Sequence, residues 1–121
     1  MITEESALKS WLLILAGIEV INVYRYLIQN VPIDGFFSTL KNNRAEKRLW
    51  SMLLCFLAFT RVHTALNLDN SNVLIFNAAV HILEALVFGY EKFVHSSDAG
   101  GFIFVIVAFN AGLFSYAAYT A

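Results

Sequence analysis

Six side chains in this sequence carry chemistry into places where chemistry is difficult: Glu19 and Arg25, Arg61 and His63, His81 and Glu84. All lie within long apolar stretches, and a charge in hydrocarbon persists only with a partner or a purpose. His81 and Glu84 sit one helical turn apart, the arrangement an acid/base pair would use for proton transfer. The same i, i+3 spacing occurs in carboxylate-bridged di-iron bundles, but those need matching ligands on other helices, and Glu19 alone does not complete the set. There is no Gly-rich phosphate loop, nucleophile elbow or His/Cys cluster, so neither a cofactor nor a metal is expected.

The elements that must position these residues follow from composition. Of 121 residues 59% are apolar and 14% charged, with a mean hydropathy of +0.65, whereas soluble domains carry roughly 25% charged residues. Such a chain has too little polar surface to cover a soluble core. Apolar spans are predicted over about 8–29, 48–67, 72–94 and 100–120, each close to the roughly 20 residues a helix needs to cross a bilayer. No stretch alternates apolar with polar long enough for barrel strands. The expected fold is all-α, a four-helix transmembrane bundle with antiparallel neighbours and short loops, forming one integral membrane domain over 1–121.

Helical spacing sorts the polar residues onto faces. Glu19, Asn22, Tyr26 and Gln29 form one stripe in the first span. Thr60, His63, Thr64 and Asn67 form another in the second, with Arg61 beside it, and Asn77, His81, Glu84, Phe88 and Glu91 form a third. At a rise of about 1.5 Å per residue, Glu19, His81 and Glu84 lie roughly 14–18 Å below the terminal-side surface and Arg61 about 9 Å below it. Arg61 is long enough to reach Glu19 or Glu84, and that is the expected buried pair. Arg25 and His63 are near enough to the surfaces to snorkel.

The fourth span has no charge. Ala108, Ala111, Gly112, Ser115 and Ala118 make a stripe of small residues that permits close helix approach, within the bundle or against a homodimer or partner helix. Cys55 is the single cysteine, which excludes an internal disulfide and reads as a small buried hydrophobe.

Lys41, Arg44, Lys47 and Arg48 lie between the first two spans, with Lys92 near the third turn. Positive-inside bias puts them in the cytosol, or in the matrix of a mitochondrion. Pro32 and Gly35 stop the first helix, and 36–41 combines an aromatic pair with a base as surface helices do, although a plain linker fits that stretch equally well. The connections at 67–72 and 95–100 are tight polar hairpins with ready N-caps. Residues 1–6 carry two acids and no base, so the first span reads as an uncleaved signal-anchor. Near-zero net charge, with aromatics in the spans, argues against nucleic acid.

Lys9-Ser10-Trp11-Leu12-Leu13 followed by Asn22, and Arg61 followed by Ala65-Leu66-Asn67-Leu68-Asp69-Asn70, resemble the ergosterol biosynthetic protein 28 family. The first carries that family's basic-x-Trp-Leu opening with an Asn eleven residues after the Trp, the second its Arg and Asn-bearing hairpin. Of the family's Arg-Thr-Phe-Gly-x-Trp-Thr only Trp50-Ser51 is present. His81 with Glu84 is one residue short of its His-Phe-x-x-Glu, and an ungapped count puts Glu91 at the Glu. The resemblance implies a non-enzymatic scaffold of the endoplasmic reticulum membrane that tethers sterol-synthesis enzymes, including those of C-4 demethylation.

Three functions are therefore in view. The first is such a scaffold, with other integral membrane proteins and membrane lipids as partners. The second is an accessory transmembrane subunit of a mitochondrial respiratory or ATP-synthase complex. The third is a small membrane enzyme using Glu84 and His81. Buried pairs that only fix which helices meet favour the first two, and an open polar pocket favours the third.

Overall fold

The computed structural model describes residues 4–31, 44–94 and 101–121. Among them every regular element is a helix: α1 (Glu4–Leu27), α2 (Arg44–Ala65), α3 (Ser71–Phe93) and α4 (Gly101–Thr120). The 36–41 stretch, read as either a surface helix or a plain linker, and the hairpin at 95–100 lie outside the described residues. The chain divides into two compact units, one containing α1 and α2 and the other α3 and α4.

In the first unit α1 and α2 run antiparallel, since residues late in α2 meet the middle of α1 and residues early in α2 meet its end. α2 buries Lys47, Ser51, Leu54, Ala58, Arg61 and Ala65. Steps of four and three keep those residues on one face of a 3.6-residue helix. α1 buries Leu12, Leu15, Ala16 and Tyr26. Its end is set by Asn30, whose φ of 55° lies in the left-handed region that Asn tolerates better than most residues. The reversal lets the Val31 N–H donate to the Arg25 carbonyl at 3.0 Å.

In the second unit α3 and α4 are also antiparallel. His81 packs on Phe114 with ring centroids 4.3 Å apart, and Phe93 meets Phe104 edge-on at 5.3 Å. Gly89 permits the close approach: a Cβ there would stand 3.3 Å from the Phe104 ring. The buried face comprises Leu74, Asn77, Ala78 and His81 on α3 and Val107, Asn110 and Phe114 on α4.

By length and apolarity, α1 and the Ser71–Tyr90 stretch of α3 are sufficient to cross a membrane among the described residues, and Phe104–Thr120 is a shorter apolar helix. α2 stands apart because Arg44, Glu46, Lys47 and Arg48 fill its first turns.

Candidate functional site

The charged centre of the first unit is built by packing. Arg61 is on the buried face of α2, where Ala58 and Ala65 flank it with little bulk. Its guanidinium Nη1 donates to Glu19 Oε1 at 3.0 Å, with the two side chains 3% and 14% exposed. The same nitrogen lies 3.4 Å from the Leu15 carbonyl, one turn before Glu19 on α1. Of the two carboxylates considered for Arg61, Glu19 lies in the same unit and forms an ion pair with it. Nearer the helix end, Arg25 Nη1 reaches Asn22 Oδ1 at 3.4 Å, a contact within α1.

Lys47 closes the other end of this unit. It is 5% exposed, and its ammonium donates to the Asn30 carbonyl at 3.1 Å and to Asn30 Oδ1 at 2.9 Å. A cation at the C-terminus of α1 meets carbonyls that have no intrahelical donor and the negative end of the helix dipole. Sequence reasoning treated Lys47 only as a topogenic charge. Its signal was the buried spacing 47, 51, 54, 58, 61, which begins before the apolar span does.

The polar centre of the second unit consists of Asn77, His81 and Asn110, all at most 2% exposed. His81 Nδ1 lies 2.7 Å from the Asn77 carbonyl oxygen. A carbonyl only accepts, so Nδ1 carries the proton, which fixes the ring's orientation along α3. The amide oxygen of Asn77 is buried with no hydrogen-bond partner among the described residues, as is the Ser51 hydroxyl in the first unit. Glu84 is half-buried one turn beyond His81. Asn110 was not singled out from the sequence, although it was the only amide in an otherwise uncharged span.

Several expectations are corrected by the packing. On α2 the buried face passes through Arg61, Thr64 and Ala65, so His63 is exposed and stacks on Phe59 at 6.1 Å. Thr60 and Thr64 return their hydroxyls to the carbonyls four residues earlier, at 2.9 and 2.8 Å, and Asn67 caps the His63 carbonyl at 2.8 Å. On α4 the buried face is Val107, Asn110 and Phe114. In the small-residue stripe Ala108 and Gly112 are exposed, while Ala111, Ser115 and Ala118 are half-buried. Cys55 is exposed rather than buried. Trp11 and Trp50 are half-buried, and Asn70 is exposed immediately before α3. Glu91 is on α3, but its side chain lies outside the described residues.

Residues 8–115, nearly the whole chain, match the family model described as Erg28 like protein. No curated protein and no solved structure matches.

Proposed function

Since the chain belongs to the Erg28-like protein family, we propose that it is a non-enzymatic integral membrane scaffold that holds sterol-synthesis enzymes together in the endoplasmic reticulum membrane. The observation that carries the membrane part of this reading is an inverted distribution of polarity. Arg61, Asn77, His81 and Asn110 are buried, while Phe56, Phe59, Phe76, Leu83, Leu86 and Phe109 are each about six-tenths exposed or more. Water drives the opposite arrangement, because exposed apolar surface is unfavourable and buried charge more so. Lipid favours the arrangement seen here, since acyl chains are as apolar as leucine and buried polar groups specify helix pairs. Only 17% of the apolar stretch of α1 and 22% of that of α3 is buried, unlike core helices of a soluble fold.

The scaffold part is supported by how the charges are held. Glu19 is neutralised by Arg61, and Arg61 is held further by the Leu15 carbonyl. Such a pair defines the register of two helices, which is the best-attested use of buried ion pairs. The outer aromatic face of α2 and the exposed Ala108–Gly112 face of α4 are surfaces on which other integral membrane proteins, lipids or a second copy of the chain can pack.

The test is affinity purification of the full chain from membranes in mild detergent, with identification of co-purifying membrane proteins. Sterol-synthesis enzymes are expected. Respiratory or ATP-synthase subunits in their place would replace the scaffold with an accessory subunit. Recovery of the chain alone, with turnover of a lipid substrate that is lost in Glu84→Gln, would make it an enzyme.

A further inference from the structure

Between the C-terminal end of α1 and the first turns of α2, within the first unit, is an open cleft of about 340 Å³. Arg44, Lys47 and Arg48 line it, and among the described residues its lining holds no acid. Arg44 and Arg48 are four residues apart on one helix face, and like charges at that spacing repel. Among the described residues neither guanidinium has a hydrogen bond or a carboxylate partner, and both side chains are exposed. Glu46, the one acid in these turns, is two residues from each arginine, on the opposite side of the helix. Lys47 is anchored by its two hydrogen bonds to Asn30, so it is fixed as a buried positive charge in the wall. Leu27 and Ile28 supply an adjoining apolar wall.

We propose that this cleft binds a phosphate-bearing anion, and that its occupant is the headgroup of an anionic phospholipid. Arginine guanidiniums match phosphate oxygens in fork geometry, and an anion between Arg44 and Arg48 relieves the repulsion their spacing creates. The choice of a lipid over free phosphate rests on the membrane reading above. In that reading the basic end faces the side where anionic lipids concentrate, and Leu27 and Ile28 lead from the charged cleft to the acyl region.

Purified full chain in mild detergent is titrated with phosphatidic acid, with phosphatidylcholine and with inorganic phosphate, and bound lipid is counted by native mass spectrometry. One phosphatidic acid per chain is expected, with no comparable uptake of phosphatidylcholine and no displacement by equimolar inorganic phosphate. Arg44→Gln and Arg48→Gln are each expected to weaken binding about tenfold, the size of one charge-assisted contact. Lys92→Gln, outside the cleft, is expected to leave it unchanged. Equal binding of both lipids, an unaltered Arg44→Gln/Arg48→Gln double variant, or an equal loss in Lys92→Gln would overturn the site. Displacement by inorganic phosphate would overturn the lipid as its occupant. Both wild type and double variant are expected to stay in carbonate-washed membranes. Release of both would overturn the membrane reading itself, whereas retention without lipid preference would overturn the cleft alone.

Discussion

Replacing one member of the Glu19–Arg61 pair should be far more damaging than replacing both. At the observed separation of 3.0 Å, two unit charges attract by about 5.5 kcal/mol at an effective dielectric constant of about 20. Several kcal/mol of desolvation per ion oppose that attraction, so the pair as a whole contributes little net stability. Removing one partner is different, because the remaining charge stays buried among apolar neighbours. Arg61→Met and Glu19→Leu are each expected to destabilise the first unit by about 3–5 kcal/mol, while the double variant should fall within about 1 kcal/mol of wild type or exceed it. Arg61→Met strands the carboxylate, and Glu19→Leu takes the ion-pair partner from a guanidinium that is 3% exposed. The assay is a double-mutant cycle on the full chain in mixed micelles, with unfolding by a denaturing detergent followed by helix content. Single losses below about 1 kcal/mol that add without coupling would refute the reasoning, since they are the values of a hydrated surface pair.

The other predictions concern packing, helix termination and the bilayer. Gly89→Leu should destabilise the α3–α4 pair by about 1–3 kcal/mol through overpacking against Phe104, whose ring already stands 3.3 Å from a Cβ at that position; a thermal-shift measurement reads it. Asn30→Val should lose about 1–2 kcal/mol, because a β-branched residue is strained at φ 55°, and should also release Lys47. Asn30→Gly keeps the backbone and loses only the Oδ1 contact, so its melting temperature should fall between the two. Cys55 is exposed on α2, and in the membrane reading that surface faces lipid. It should react with a membrane-permeant maleimide, and with a charged, impermeant one only after detergent is added. Rapid labelling by the impermeant reagent in intact membranes would count against that reading.

Much of the first level of structure was legible because helix formation and apolar composition are local properties. The predicted spans at 8–29, 48–67, 72–94 and 100–120 differ from α1–α4 by up to four residues at their ends. The four-residue differences are at the starts of α1 and α2, and the second is the informative one. At the start of α2 the helix takes in Arg44 and Lys47, because Lys47 finds acceptors on Asn30 that no hydropathy pattern can anticipate.

Faces were harder to assign than helices. The stripe through Thr60, His63 and Asn67 was a valid helical face of α2, but so was the one through Leu54, Ala58, Arg61 and Ala65. Periodicity admits both, and only the partner helix chooses. Small residues at 58 and 65 let Arg61 lie against α1, whereas His63, turned outward, stacks on Phe59. The same holds for α4, where the small-residue stripe drew attention and the buried face proved to be Val107, Asn110 and Phe114. Asn110 is buried on that face, and a lone amide in an apolar helix does not by itself say which side it takes.

The sequence by itself determined that the chain is helical and apolar, that its charges are few, and that Arg61 had only distant carboxylates to answer it. Those follow from residue type and spacing along one chain. Tertiary structure alone decided that Glu19 answers Arg61, that Lys47 caps α1, and that Arg44 and Arg48 border a cleft whose described lining holds no acid. Each of these joins residues from different helices, or from a helix and the end of its neighbour. Their distances are set by how two antiparallel cylinders rotate against each other, which no one-dimensional pattern specifies.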